Sequence, residues 1–518
     1  MKRITQAKIS IPFRWVAATA YGLLIIPILI FFFGWLKWYF ALMFSAILLF
    51  GAFWAFKSDY LGNREKLELP VLHIVLIAAA FGLWVLFSGS CGFGVSNIDT
   101  KWRTAYLRDL INCDWPAYFP ETGVTLCYYF LFWMVPALAG KLFGLTAAFA
   151  VQWLWMLLTV FVSFLLIAFL FMADGGKTLW LICGFFIMWS GLNLLGAALL
   201  DIFGWNYLGI QFGLNEMYCQ GFYNGEGFNY LYRSNQEFIE MCYNQIPIWL
   251  VVPLFLQNRS IHNYAFLGLI LFPFSPWGTV GIGILMIIDA IRYAVKNPFG
   301  TFLKEVFSVQ NICALISVFA VFLLFFTSGA AIGTPGERSF GILSLYKMDM
   351  SYVIELLIFW LCEFGIYFAF MWRKYGKDFD FVILLPVLML IPFFWAGNIG
   401  GRDFCQNVSL PALFILMIYM IGYIRDEVLG KKLTAVHLAL VVSLMIAAAS
   451  PVLDWTSKLF TMIEECSFIV QDDSFYTYSD KPIELMSNQG AVNTDESLLF
   501  KYIAKPYPNV SPGAEDPK

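Results

Sequence analysis

The polar segment at 97–111 carries the first residues that could do chemistry. Trp102, Tyr106 and Leu110 are four residues apart, so on a helix they share one face. The charged residues of the segment lie largely elsewhere: Lys101, Arg103, Arg108 and Asp109. This pattern is typical of a helix lying in the membrane interface. Asp99 comes just before it, where a carboxylate could take a proton from a hydroxyl acceptor. The alternative is that Asp99 only caps the helix.

A glycine-rich turn at 397–407 is the second candidate. Its glycines would let backbone N–H groups approach an anion closely, and Arg402 beside them could hold a phosphate through two hydrogen bonds. The alternative is an ordinary tight turn, in which Arg402 pairs with Asp403 or with lipid headgroups. Arg338, which also follows a glycine-containing stretch, is a weaker form of the same pattern.

Glu363 lies within a long apolar segment, where an ionised carboxylate is costly. It could relay protons or line a polar cavity, or it could be a protonated group hydrogen-bonded to a neighbouring helix. The three histidines and ten cysteines lack the spacing of a metal site, although a disulfide such as Cys219 with Cys242 is compatible with the sequence. No phosphate loop, nucleotide fingerprint or serine-nucleophile motif is present, which argues against an ATP-driven machine.

The composition indicates a membrane protein around these residues. Of 518 residues, 60% are hydrophobic and 13% are charged, whereas a soluble domain has about 25% charged residues. Uncharged runs of about 20 residues recur, and each could cross roughly 30 Å of hydrocarbon as a helix. The net charge of −3 gives no basic excess for nucleic acid. The sequence therefore predicts an all-α membrane protein.

About thirteen spans are predicted, at 14–33, 38–56, 70–88, 147–171, 178–199, 246–258, 261–274, 276–295, 309–328, 352–372, 380–397, 408–424 and 434–450. Lys and Arg cluster in alternate loops, which places the N-terminus inside and the C-terminus outside. The segment 124–143 is interpreted as an embedded helix that does not span, because counting it would move the Tyr-rich loop 201–245 inside. The pair from 246 to 274 could instead be a re-entrant hairpin.

This topology predicts a transmembrane module at 1–450 and a small outer tail at 451–518. The outer face would carry the juxtamembrane helix described above and four loops: 89–123, 201–245, 329–351 and 398–407. The candidate residues other than Glu363 fall in these loops or beside them. The working surface is therefore expected on the non-cytoplasmic side.

Ten short stretches follow one another between about residues 90 and 505: Asp99–Leu110, Asp114–Pro116, Tyr128–Tyr129, Pro136–Gly144, Ser190–Gly196, Asn244–Leu250, Phe274–Gly278, Asp403–Cys405, Ser409–Leu413 and Leu499–Lys505. In this order they resemble a bacterial branch of the GT-C superfamily of multi-spanning membrane glycosyltransferases. Three spans ahead of the first large outer loop are atypical, because that superfamily usually has one there.

The resemblance implies a polyprenyl-phosphate-linked sugar as donor, a glycan, lipid or protein as acceptor, and inversion at the anomeric carbon. An acidic residue in the first large outer loop is the usual catalytic group, and by position this role falls on Asp99. The leaving phosphate needs a cation, for which Arg402 is the first choice and Arg338 the second. The remaining candidate pocket residues are Lys101, Asp109, Asp403, Asn407 and Gln245.

The resemblance also implies the bacterial inner membrane as the location. Some relatives use a divalent metal, but nothing in this sequence requires one, and the cofactor stays unassigned. Two positions depart from the branch, which has an arginine where Asn407 stands and often an acidic residue where Asn193 stands. These departures favour one alternative, a non-catalytic GT-C-like partner in envelope polysaccharide assembly. Another alternative is a transporter or lipid flippase that uses Glu363 as a proton site.

Overall fold

The computed structural model describes residues 7–120, 123–173, 175–202, 234–328, 339–342, 350–397, 402–470, 477, 490–491 and 497–506. Within these ranges, eight helices are long and apolar enough to cross a membrane: Phe13–Trp35, Trp38–Asp59, Leu145–Leu170, Pro276–Lys296, Val309–Ser328, Leu356–Tyr375, Phe404–Val428 and Ala435–Glu464. A ninth results if the bent pair Asn235–Met241 and Tyr243–Gln257 is one span. The prediction of an all-α membrane protein therefore agrees with the structure.

The described residues also form five shorter apolar helices: Val71–Phe87, Leu131–Phe143, Gly176–Met188, Ile261–Leu271 and Phe379–Phe393. Each of the thirteen predicted spans overlaps a long helix, a short helix or the bent pair. The count of thirteen crossings nevertheless stays a prediction, because a helix of 11 residues extends only about 16 Å.

The helices of the first part of the chain are α1 (Phe13–Trp35), α2 (Trp38–Asp59), α3 (Val71–Phe87), α4 (Ile98–Asn112), α5 (Met134–Phe143), α6 (Leu145–Leu170), α7 (Gly176–Met188) and α8 (Asn193–Ile202). A 3₁₀ turn at Leu131–Trp133 leads into α5.

The second part contains α9 (Asn235–Met241), α10 (Ile248–Gln257), α11 (Ile261–Leu271), α12 (Pro276–Lys296), α13 (Phe299–Val306), α14 (Val309–Ala314), α15 (Ala320–Ser328), α16 (Met350–Trp360), α17 (Ile366–Tyr375), α18 (Phe379–Val382), α19 (Leu384–Leu390), α20 (Arg402–Tyr423) and α21 (Ala435–Glu464). The π turns Leu315–Phe319 and Leu361–Gly365 join α14 to α15 and α16 to α17.

In the described part of the chain, short strands pair near the ends of the helices. They are β1 (Lys8–Pro12), β2 (Lys66–Pro70), β3 (Gly94–Val95), β4 (Tyr118–Phe119), β5 (Val124–Leu126), β6 (Ser339–Ile342), β7 (Phe394–Gly397), β8 (Ile469–Val470) and β9 (Gly490–Ala491). The pairs β1–β2 and β6–β7 are antiparallel, β3–β8 is parallel, and β4, β5 and β9 form one antiparallel sheet.

One end of the bundle, which we call the basic face, is defined by contacts among loops rich in Lys and Arg. The pairing of β1 with β2 brings the N-terminal segment against the end of α2. His262 at the start of α11 contacts Asp59 and Glu305 at 2.9 Å each. Lys374 at the end of α17 pairs with Asp426 at 2.8 Å. The basic loops predicted for one side of the membrane therefore do meet at one end.

The opposite end, which we call the tail face, is crossed by the described parts of the C-terminal tail. Strand β8 pairs with β3, and β9 pairs with β5. Farther along, the backbone N–H of Lys505 donates to the carbonyl of Trp35 at 2.8 Å. The helix predicted to end at 450 continues as α21 through Pro451 to Glu464. The tail thus ties the first large loop to the end of α1.

Two of the helices that approach the tail face stop well short of full membrane thickness. Helices α10 and α11 have 10 and 11 residues, or about 15–17 Å each. The segment containing α9 meets the one containing α10 at 101°. Irregular backbone at this depth is tolerated only where it is buried in protein or lines a cavity. The breaks at Cys242–Pro247 and Phe272–Ser275 are therefore the places where polar groups must be satisfied internally.

Helices α12 and α20 run side by side in the same direction from these breaks. The ring of Trp277 lies 5.3 Å from that of Phe404, and one turn later a Cβ atom added to Gly281 would lie 2.2 Å from the carbonyl oxygen of Val408. The bare Cα of Gly281 therefore sets how closely the two backbones approach, as small residues do in membrane helix pairs.

We expect Gly281→Ala to destabilise the protein by about 1–3 kcal/mol, because the new methyl group meets backbone rather than a flexible side chain. Gly283→Ala is the matched control in the same helix, since a Cβ there meets nothing within 4 Å. This control should be neutral or stabilising by up to about 1 kcal/mol. Thermal unfolding of the detergent-solubilised variants measures both. Equal melting temperatures would show that α12 and α20 do not depend on this contact.

Candidate functional site

The structure excludes the alternative in which Asp99 only caps α4. Asn97 is the N-cap: its side chain accepts from the backbone N–H of Thr100 at 2.8 Å, and the Thr100 hydroxyl accepts from the backbone N–H of Asn97 at 3.2 Å. This reciprocal capping box leaves the Asp99 carboxylate free of a capping role. Asp99 instead lies in the first turn and pairs with Arg103 at 3.2 Å, with 33% of its side chain exposed.

The interpretation of α4 as a helix lying in the membrane interface stays a prediction, but its charged residues are not exposed as that pattern suggests. Tyr106 and Leu110 are buried, as predicted for the apolar face, but Arg108 and Asp109 are buried too. The cause is nonlocal, because α5 packs along α4 and the Lys141 ammonium donates to the carbonyl of Ile111 at 3.0 Å. Helix α4 is therefore enclosed by protein on most sides.

Arg103 carries the contact from α4 to the break between α9 and α10. Its guanidinium donates to the Cys242 sulfur at 3.3 Å and to the Asn244 amide oxygen at 3.4 Å. The amide nitrogen of Asn244 in turn donates to the carbonyl of Tyr129. The suggested disulfide partner of Cys242, Cys219, lies outside the described residues. Asp99 is thus linked through one arginine to the buried break.

The break between α9 and α10 is joined to the break between α11 and α12. The Ser275 hydroxyl donates to the Gln245 side-chain oxygen at 2.5 Å and accepts from the backbone N–H of Gly278 at 3.1 Å. Ser275 is therefore the N-cap of α12, with Pro276 at the first helical position. Gln245 and Ser275 are both buried. We call Asp99, Arg103, Asn244, Gln245 and Ser275 the polar chain.

Three helices begin beside the polar chain. Helix α10 starts at Ile248 and α12 at Pro276, and a Cβ added to Gly278 would touch the Ile248 side chain. Helix α20 starts at Arg402, within one turn of the contact between Phe404 and Trp277. Each helix start carries roughly half a positive charge, so three together favour an anion.

The arginines predicted to bind phosphate lie largely outside the described residues. Arg402 begins α20, but its side chain and that of Asp403 lie outside the described part of the chain, and so does all of Arg338. Asn407 is buried one turn into α20, and Lys101 is half-buried on α4; both have partners. The meeting of Asp99 and Arg402 in one cavity therefore stays a prediction.

Two buried acidic groups in this part of the molecule, Tyr128 and Cys91, do not act as proton acceptors. Burial raises the pKa of Tyr128 well above its ordinary value, although the Arg103 charge partly opposes the shift. Burial likewise raises the pKa of Cys91 to about 12. Both groups are therefore protonated at neutral pH. The Asp99 carboxylate, by contrast, is partly exposed and can be reached by another molecule.

Glu363 lies in a second buried polar region, at interruptions in two neighbouring helical segments. It is buried in the π turn between α16 and α17, opposite the break between α7 and α8. The Tyr367 hydroxyl donates to the carbonyl of Ser190 at 2.6 Å, and the backbone N–H of Leu192 donates to the carbonyl of Cys362 at 2.9 Å. A π turn at an intramembrane carboxylate is a frequent feature of functional sites.

The roles of Arg103 and Ser275 were missed from the sequence, although both leave a local signal. Arg103 stands four residues after Asp99, which is the spacing of a helical ion pair. Ser275-Pro276 is an N-cap followed by proline at the first helical position. Gln245 was predicted as a pocket residue, but the contacts of Asn244 and Gln245 leave no local signal, because they depend on the meeting of two breaks distant in sequence.

No family model, curated protein or solved structure matches the chain. Among the described residues, no group of three or more His, Cys, Asp or Glu side chains could hold a metal ion. The candidate site is therefore defined by the polar chain and the helix starts beside it.

We expect Arg103→Met to cost about 1.5–3 kcal/mol of stability, because buried hydrogen bonds from a charged group are lost. Asp99→Asn should cost less than about 1 kcal/mol, since its ion pair is partly exposed. Both are measured by thermal unfolding in detergent. An equal loss in the two variants would assign Asp99 a mainly structural role.

Proposed function

We propose that this protein is an inverting membrane glycosyltransferase that moves a sugar from a polyprenyl-phosphate donor to an acceptor on the non-cytoplasmic face. The observation that carries the proposal is the polar chain from Asp99 to Ser275, which ends where α10, α12 and α20 begin. It places a partly exposed carboxylate near a region that favours an anion. The resemblance to the GT-C superfamily supports the same roles.

In this proposal the Asp99 carboxylate accepts the proton of the acceptor hydroxyl, whether that belongs to a glycan, a lipid or a protein. The acceptor oxygen forms a bond to the anomeric carbon as the bond from that carbon to the phosphate oxygen breaks. The electron pair of the broken bond leaves with the polyprenyl phosphate. Arg402, with Arg338 as second choice, and the start of α20 stabilise the charge of the phosphate.

The same proposal includes the finer topology. The basic face is assigned to the cytoplasm because loops on that side carry most of the Lys and Arg residues. Thirteen crossings then put the tail face outside, in the inner membrane of a bacterium. In this assignment α5 does not cross the membrane. Its C-terminal end stays on the tail face, because the Lys141 ammonium donates to the carbonyls of Ile111 and Cys113 at the end of α4. The donor chain would lie between helices, which is why such an enzyme is embedded in lipid.

We expect cells that lack the protein to accumulate a polyprenyl-phosphate-linked sugar, which mass spectrometry of extracted lipids would detect. Wild-type protein should remove this lipid, and Asp99→Asn should do so about 10²–10⁴-fold more slowly, because general base assistance is lost. Asp426→Asn is the control, since Asp426 pairs with Lys374 on the basic face. Unchanged lipids in the deleted strain, or full activity of Asp99→Asn at normal expression, would contradict the proposal.

One observation favours a second function, a transporter or lipid flippase. The buried Glu363 lies between two interrupted helices, an arrangement that transporters use for coupled ions. This function predicts uptake or flipping in proteoliposomes that responds to a proton gradient and is lost in Glu363→Gln but kept in Asp99→Asn. Gradient-independent sugar transfer that requires Asp99 would exclude it as the main activity.

A further inference from the structure

We infer that Asn193 and Glu363 form a subsite that binds two hydroxyl groups of the donor sugar, an inference that rests on the proposed glycosyltransferase function. The two residues face each other across the break between α7 and α8. A Cβ atom added to Gly191 would lie 2.6 Å from a Glu363 carboxylate oxygen and 3.4 Å from the Asn193 amide oxygen. Both side chains therefore border the bare Cα of Gly191.

The Asn193 side chain is the main evidence for a ligand. It is only 1% exposed, yet neither its amide nitrogen nor its amide oxygen has a hydrogen-bond partner among the described residues. Buried polar groups in folded proteins nearly always have partners. An asparagine with both groups unpaired at membrane depth thus indicates that something outside the described chain completes them.

The two unpaired groups restrict what that ligand can be. The amide nitrogen needs an acceptor and the amide oxygen needs a donor, and a hydroxyl group can be either. A cation would satisfy the oxygen and the Glu363 carboxylate but would face the N–H bonds of the same amide unfavourably. Two hydroxyls of one sugar satisfy both residues, since the carboxylate can accept from the second hydroxyl.

The backbone around the subsite is held firmly. The carbonyl of Ser190 accepts from Tyr367, and the N–H of Leu192 donates to Cys362, so both flanks of Gly191 are fixed to the segment that carries Glu363. A side chain at position 191 would occupy the space between the two polar groups. Such a preorganised pair loses little entropy when it binds a polar group.

The subsite and the polar chain both lie near the first turn of α20. Cys405 is close enough to Glu363 to be affected by its charge, whereas its neighbour Phe404 packs on Trp277 beside Ser275. Neighbouring residues of a helix point about 100° apart, so the two places meet the same turn from different directions. A phosphate at the start of α20 would be adjacent to both, with its sugar directed to Asn193.

The test compares two probes, farnesyl phosphate and farnesyl phosphate carrying one hexose or pentose from a small panel, binding to the full chain in nanodiscs. The wild type should bind one of the sugar-bearing lipids at least tenfold more tightly than the bare lipid. Asn193→Ala should reduce this preference to below threefold while leaving the affinity for bare farnesyl phosphate within twofold. Gly191→Ala should have the same effect by filling the subsite.

Asn263→Ala is the matched control, because Asn263 is a fully buried asparagine on the basic face whose amide donates to Ala55 and Ser58. It should lower stability without changing the sugar preference. If Asn193→Ala does not fold, Asn193→Asp keeps an acceptor at the same place and should also alter the preference relative to wild type.

The outcomes separate the two proposals. A wild type that binds the bare and sugar-bearing lipids equally, or an Asn193→Ala variant that weakens both by the same factor, would mean that Asn193 holds only water or supports the fold, and the subsite would be rejected alone. Binding of neither lipid by the wild type would reject the polyprenyl-phosphate donor and the subsite with it.

Discussion

Much of this structure follows from one constraint: apolar helices that are too short to cross a membrane leave polar backbone and side chains in the protein interior, where these groups must find partners. Helices α10 and α11 end after about half the hydrocarbon thickness. The chain answers by letting the breaks satisfy each other, with the Ser275 hydroxyl bridging Gln245 and the start of α12. A polar region at membrane depth is thus a consequence of helix length, and any site in it is enclosed from the start.

The same constraint explains why the tail face needs the C-terminal tail. The first large loop contains α4, whose Arg108 and Asp109 are buried. Buried charges need protein partners in place of water, so this loop must be covered by other segments. Strand β8 adds to β3 and β9 adds to β5, so residues near the end of the chain close over the first large loop. The basic face needs no such cover, because its charges pair with one another at helix ends, as His262 does with Asp59 and Glu305.

Hydropathy was sufficient to locate the apolar helices, because the cost of burying charge in lipid acts residue by residue along the chain. It located some of their breaks but not all. The predicted spans begin at 246 and divide between 274 and 276, close to two of the breaks, whereas the π turn at Leu361–Gly365 lies inside the predicted span 352–372. The cap of α4 could have been predicted from Asn97 and Thr100, which have the spacing of a capping box, but only Asp99 was considered as a cap. The burial of α4 was not predictable locally, since α5 and the break at Asn244 cover it from distant positions.

Broken helices by themselves do not decide between an enzyme and a transporter, because both need polar groups at membrane depth. The two classes of protein differ in the side from which the ionisable group must be accessible. A transporter needs its ionisable group to be reached from both faces in turn, whereas a transferase needs an acid group on one face only. Asp99 is partly exposed and tied by Arg103 to the break between α9 and α10, and just beyond that break the buried rings of Trp249 and Phe414 stack on each other. A polar site that is closed from one side by such packing suits chemistry on a lipid-borne substrate that arrives laterally, and this is the stronger physical reason for preferring the transferase.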